Sequence, residues 1–297
     1  MEGVMGIPWF KNIGIILGGG LLFLGQVKAI DCPDDDLVAR WLSGYPSQWV
    51  SDMPAFSSLE EAYCAQAKFV ALLATRMGEV VGYKVAFTGK ATQKQLGITT
   101  PAFGVLFSEM FLPDGARISS DYGLRPFIEP DLMVVVKDEG LMDATTEIEV
   151  AAHLSSVHAL MELTSLPFPV EEAVNGSALV ALNLMATYMV MGPGVAVEAT
   201  PEFVAALAAM ETEFTDESGR VIQRSGVSSL MGNPLRVVLW LVAECHRQGR
   251  TLRGGDRLSL GAVGRMFPLE RGGKTFTYTL NGLPAGALTT SIRVESL

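Results

Sequence analysis

The segment Arg125 to Val136, R-P-F-I-E-P-D-L-M-V-V-V, constrains this chain most. Phe127, Ile128, Leu132, Met133 and three valines form a nearly continuous apolar run rich in β-branched residues, which predicts a buried strand. Glu129 and Asp131 interrupt it. Residues two apart on a strand share a face, so both acids aim at one spot. Buried carboxylates are costly unless paired, hydrogen-bonded or metal-bound, and two together repel. On these residues alone a cation cradle and a pair of surface acids on an edge strand, with Pro130 marking the edge, stand level.

The rest of the chain limits which cation could serve. Its 297 residues include only three cysteines, Cys32, Cys64 and Cys245, and three histidines, His153, His158 and His246. They form no C-x-x-C or Cys/His cluster, which argues against a thiolate zinc site or a histidine-rich one and points any metal to oxygen ligands. At most one internal disulfide can form. The net charge of −10 argues against a nucleic-acid or anionic-membrane partner.

Residues 1–29 read as an export signal: Lys11, an apolar run from Ile13 to Leu24, then Val27-Lys28-Ala29 as a small-residue cleavage site. The run is too short to span a bilayer comfortably, so the mature chain is expected to have no stable membrane insertion. This predicts an exported, periplasmic protein, with a cytoplasmic one as the alternative. Residues 30–79 read as an N-terminal helical region, one helix ending at Gly44 and a second opened by Ser58-Leu59-Glu60-Glu61 and stopped by Gly78. Residues 80–297 read as the main domain.

There, Val80 to Phe87 alternates as a strand containing Lys84. Thr88 is expected to cap a short helix, and Gly97 to Phe107 reads as a loop. Thr146 and Glu149 make a capping box, Val157 to Thr164 is a strand carrying Glu162, and Asn175 to Ala186 is helical. Tyr188 to Met191 reads as a short strand ended by Gly192-Pro193-Gly194. Ala206 to Phe214 and Val221 to Arg224 read as a hairpin, Asn233-Pro234 opens a helix, and Gly255 to Gly264 is strand then turn. Phe276 to Leu280 and Leu288 to Val294 form a last hairpin around Asn281-Gly282. Strands and helices mingle without a regular βαβ period, which predicts an α+β fold.

Three strands thus carry chemistry: Gly82-Tyr83-Lys84-Val85, Ile128-Glu129-Pro130-Asp131 and Ala159-Leu160-Met161-Glu162. With Gln95-Leu96-Gly97, Phe103-Gly104-Val105-Leu106-Phe107, Met231-Gly232-Asn233-Pro234-Leu235 and Leu252-Arg253-Gly254-Gly255-Asp256, this ordered set resembles the fumarylacetoacetate hydrolase superfamily, in its 2-keto-4-pentenoate hydratase and 4-oxalocrotonate decarboxylase branch. The resemblance runs from about Leu59 to the C-terminus. It implies a mixed β-roll with outer helices and an N-terminal helical region. It also implies a Mg2+ or Mn2+ ion held by an E-x-E pair and a third glutamate, which fall on Glu129, Asp131 and Glu162. Lys84 matches the lysine that moves protons, and Phe107 and Asn183 fall at the substrate.

The implied activity is a divalent-metal-dependent hydratase or lyase acting on a small 2-oxo or 2-hydroxydienoic acid, as in aromatic catabolism, in a homo-oligomer. A decarboxylase or C–C hydrolase at the same site, or a non-catalytic small-acid-binding member of the fold, are the alternatives. Departures from the branch give them weight: Asp131 for a glutamate, Ala102 where an acid often precedes the Phe-Gly motif, Leu182 and Met185 where an aspartate and a serine are common, and Leu260 for a threonine. His158, His153 and His246 read as structural, as do Ser228, Ser229 and Arg236 at a helix start.

Overall fold

Capping sets most of the helices. In a computed structural model, which describes residues 30–170, 174–269 and 273–295, the Asp34 side chain accepts from the Leu37 amide and opens α1, Asp35–Gly44. Ser58 accepts from the Glu61 amide and opens α2, Leu59–Met77, which ends at Gly78. Trp41, Phe69 and Leu73 are buried along the two helices. A Cys32–Cys64 disulfide ties the segment before α1 to α2. The expected export signal, residues 1–29, lies outside the described residues. Asp31–Leu297 form one compact unit, so the helical region and the sheets share a core.

The remaining elements follow in order: β1 Val80–Ala86, α3 Lys90–Gln95, β2 Ala102–Phe107, β3 Phe111–Leu112, β4 Ala116–Ser119, β5 Pro126–Val136, α4 Glu147–Ala152, β6 Leu154–Ser165, α5 Gly176–Ala181, β7 Ala186–Ala196, α6 Pro201–Ala208, β8 Glu211–Asp216, β9 Val221–Gly226, α7 Pro234–Arg247, β10 Arg257–Ala262, β11 Phe267–Pro268, β12 Thr275–Asn281 and β13 Leu288–Glu295. They build two sheets. One has eight strands, in the order β2-β1-β10-β5-β6-β7-β3 with β11 also on β5; the other has five, β4-β13-β12-β8-β9. β12 and β13 pack against β6 and β7, which joins the sheets into an α+β roll with helices outside.

Several expectations are corrected. The loop expected up to Phe107 contains β2, a strand with every residue buried, antiparallel to β1. The cap of α3 is Gly89, without a side-chain hydrogen bond, in place of Thr88. The expected hairpin strand at Ala206 begins as α6, capped by Thr200 with proline in its first turn. The helix expected to run to Ala186 ends with α5 at Ala181. β7 continues through Gly192-Pro193-Gly194. A Cβ at Gly192 would lie 2.2 Å from the Thr289 oxygen, and one at Gly194 would lie 2.2 Å from the His158 ring. These glycines admit close neighbours and do not end the strand. The last hairpin turns over 282–287, not over two residues.

A candidate metal and oxo-acid site on the large sheet

β5 and β6 are antiparallel, with Glu129 directly opposite Glu162 and Asp131 opposite Leu160. Alternation therefore puts Glu129, Asp131 and Glu162 on one face. β10 lies between β5 and β1, and its Ser259 faces both Met133 and Lys84 in register. That places Lys84 on the same face. The register thus places Lys84, Glu129, Asp131 and Glu162 on one face of the sheet.

The buried Lys84 ammonium donates to Glu162 Oε1, and to the Leu184 carbonyl at 3.2 Å. Glu162 Oε2 is buried without a hydrogen-bond partner. Unit charges about 5 Å apart repel by about 3 kcal/mol at an effective dielectric near 20, so one lysine leaves this cluster of three acids over-negative. Burial, then the charge of Glu162, pushes Glu129 up to about 8 and Asp131 up to about 7. Burial also raises Glu162, against the pull of Lys84. For Lys84 burial acts downward, but Glu162, Glu129 and Asp131 outweigh it and the net shift is upward. A cation beside Glu129 and the orphaned Glu162 oxygen would relieve both the repulsion and the missing partner. Hard oxygen donors suit magnesium or manganese, which commonly take one or two carboxylates and keep several waters.

Asp131 stands differently. Its Oδ1 accepts from the Leu132 amide at 2.5 Å and the Gly261 amide at 3.0 Å, and its Oδ2 from Ser259 Oγ at 2.8 Å. Among the described residues no three His, Cys, Asp or Glu side chains converge as a complete metal cage.

The two residues expected at the substrate are engaged elsewhere. Phe107 is fully buried in the core. Asn183 Oδ1 accepts from the Val105 amide at 2.7 Å and its Nδ2 donates to the Val105 carbonyl at 2.9 Å, so the side chain pairs with edge strand β2 as a neighbouring strand would. Gly104 makes this approach possible, since a Cβ there would lie 2.8 Å from the Asn183 carbonyl oxygen.

Sequence reasoning missed the segment that Asn183 begins. Asn183, Leu184 and Met185 have φ of 55°, 52° and 52°, three consecutive left-handed residues. Each such residue costs about 1–3 kcal/mol and persists only when its surroundings over-determine it. Here the Asn183 pairing holds one end, and Thr164 Oγ1 and Thr187 Oγ1 donate to the Met185 carbonyl at 3.0 and 3.1 Å. The turn presents the Leu184 carbonyl to Lys84. Tyr45, from the helical region, closes over it with its hydroxyl 3.2 Å from Thr187 Oγ1. Asparagine's tolerance of the left-handed region was the one available signal. The positions of Ala102, Leu182 and Met185 are buried and apolar. His158 is satisfied by Ser156 and the Gly192 carbonyl, as expected of a structural histidine.

Similarity to known proteins agrees with this architecture. The fold is that of 4-oxalocrotonate decarboxylase from Pseudomonas putida, solved with magnesium and adipate: TM-score 0.73, 22% identity, covering 88% of this chain and 96% of that one. A fumarylpyruvate hydrolase from Pseudomonas aeruginosa, solved with Mn2+ and pyruvate, aligns at TM-score 0.51 and 18% identity over 72% of this chain and 89% of that one. No family model matches the chain. In sequence, a TodF product hydratase of Pseudomonas putida is 30% identical over 230 residues, 76% of this chain and 82% of its own. The 2-keto-4-pentenoate hydratase 2 of Dechloromonas aromatica is 28% identical over 250 residues, 83% of this chain and 92% of its own. The chain belongs to the 2-keto-4-pentenoate hydratase and 4-oxalocrotonate decarboxylase branch of the fumarylacetoacetate hydrolase superfamily, a family of enzymes.

Proposed function

We propose that this chain is a divalent-metal-dependent hydratase that adds water to a small 2-hydroxydienoic acid of the 2-keto-4-pentenoate type. The observation that carries the reading is the buried, partnerless Glu162 Oε2 facing Glu129 across two paired strands, with Lys84 on the other Glu162 oxygen. Glu129 and Glu162 would hold Mg2+ or Mn2+, with Asp131 beside them. When bound, the cation supplies a Lewis acid that polarises the carboxylate and 2-oxo oxygens of the substrate. Lys84 holds a proton at Nζ, fixed between Glu162 and the Leu184 carbonyl, where it can serve a carbon gaining or losing a proton. The left-handed turn at Asn183–Met185 positions that lysine.

The reaction adds one water across the diene and yields a 4-hydroxy-2-oxo acid, with no oxidant needed. The purified protein with Mg2+ or Mn2+ should bleach the near-ultraviolet absorbance of 2-hydroxypenta-2,4-dienoate, and EDTA should stop it. Binding without turnover would favour a non-catalytic role. The apolar residues Ala102, Leu182 and Met185 favour decarboxylation as the second reading, because it needs fewer proton-transfer groups. Release of CO2 from a 2-oxo diacid at a rate above hydration would establish it.

Export is proposed on the signal-like residues 1–29, supported by the Cys32–Cys64 disulfide, a bond of oxidising compartments. Among the described residues no helix is long and apolar enough to cross a membrane. Mass spectrometry of native protein finding residues 1–29 intact would reject the leader. Assembly into a homo-oligomer rests on the family resemblance, with exposed Trp49 and Val170 available for contact; light scattering tests it.

A further inference from the structure

We infer that Asp131 is not a direct metal ligand but a positioning residue that fixes the β10 turn behind Lys84. The inference rests on the metal site proposed above and assigns one of its three acids a different task. Both Asp131 oxygens are already taken, by the Leu132 and Gly261 amides and the Ser259 hydroxyl, whereas Glu162 keeps an oxygen free. Asp131 is fully buried, so its charge depends on those three donors.

The reason lies in the β5–β10 register. Ser259 faces Met133, yet Ala262 faces Asp131, so β10 carries one residue more than β5 across this interval. The extra residue makes a bulge, which breaks the regular ladder and leaves backbone donors without strand partners. Gly261 sits in it at φ 111°, a conformation side chains rarely adopt, and its amide points to Asp131. The carboxylate replaces the lost ladder acceptor. A short side chain reaches back to its own neighbouring amide, as aspartates do and longer acids do poorly. The bulge then lies against β1. Ser259 is in register with Lys84, and Gly261 packs so close to the Val85 carbonyl that a Cβ would sit 3.2 Å from it. Asp131 therefore acts on Lys84 through Ser259 and Gly261.

The test titrates metal-free protein with Mn2+, following free Mn2+ by electron paramagnetic resonance and bound Mn2+ by water-proton relaxation. Glu129→Gln and Glu162→Gln should each weaken Mn2+ binding by about 100-fold or more, and Asp131→Asn by less than about threefold. Bound-Mn2+ relaxation should be unchanged in Asp131→Asn, because no ligand has been lost. Turnover should separate the roles further. In Asp131→Asn and Ser259→Ala, kcat should fall by about tenfold with KM nearly constant, and Ser259→Thr, which keeps the hydroxyl, should recover it.

Loss of Mn2+ affinity in Asp131→Asn equal to that in Glu129→Gln, or a rise in its relaxation as water enters a vacated position, would overturn the inference. Should Asp131→Asn not fold, Ser259→Ala decides by itself: retained Mn2+ affinity with reduced kcat supports the positioning role, and unchanged kcat overturns it. Wild-type Mn2+ affinity in both Glu129→Gln and Glu162→Gln would instead overturn the metal site, and this inference with it.

Discussion

The inner face of the eight-stranded sheet carries Lys84, Glu129, Asp131 and Glu162, whereas the five-stranded sheet turns Phe214, Tyr278, Leu280, Ile292 and Val294 inward. Phe214 stacks on Phe276 of its own sheet and on Phe267 of the larger one, with centroids 5.4 and 4.8 Å apart. In β13 the alternation puts Leu288, Ile292 and Val294 inside and Thr289, Arg293 and Glu295 outward, with Thr290 a polar side chain turned inward and donating to the Val190 carbonyl. The larger sheet obeys the same geometry but puts like charges on neighbouring strands, which destabilises the fold unless a ligand completes it. One sheet is built for stability and the other departs from the rule where chemistry needs it.

The comparison breaks most sharply at Glu129. Glu129→Gln should lower kcat/KM by about 1000-fold, since it removes a proposed metal ligand, yet leave the metal-free protein equally or more stable, since it removes a repelling charge. Stopped-flow turnover and thermal unfolding in EDTA check both halves. A variant that loses stability without losing turnover would reverse the roles of the two faces. Phe214→Ala is the mirror case. It should cost about 3–5 kcal/mol in urea unfolding while leaving Mn2+ affinity within about threefold of wild type.

A third region, the α1–α2 pair, calibrates the other two. Reducing Cys32–Cys64, which closes a separation of 32 residues, should cost about 4 kcal/mol of stability and leave the site's metal affinity alone. Denaturant unfolding with and without reductant measures it. The smallest effect belongs to Asp216, at the β8–β9 turn, whose pairing with Ser218 and Arg220 lowers its pKa to about 2. Its stabilisation is present above the unfolded value near 3.8 and is lost as pH falls through about 2. Asp216→Asn should slightly lower stability at neutral pH, and the gap to wild type should close as pH falls from about 4 to about 2 in unfolding curves.

Much of this was readable from the chain. The caps at Ser58, Thr146 and Asn233 mark helix starts because a side-chain oxygen must satisfy the first free amides. Alternation in one strand marked Glu129 and Asp131 as sharing a face, and Lys84 and Glu162 joined them only through the order and spacing that resemble the superfamily. What stayed hidden depends on partners distant in sequence. Gly104, Gly192 and Gly194 look like loop residues, yet they make room for Asn183, β13 and His158. The left-handed turn at Asn183–Met185 exists because Val105, Thr164, Thr187 and Lys84 hold it. The direction of Asp131 follows from a bulge in β10, some 130 residues later, which no local pattern announces.

The most direct measurement is anomalous diffraction from crystals soaked in Mn2+. We expect a single strong peak between the Glu129 and Glu162 carboxylates, with the Ser259–Asp131 hydrogen bond intact and Lys84 still at the acid cluster. A peak elsewhere, or none at millimolar Mn2+, would contradict a metal-dependent reaction at this face of the sheet.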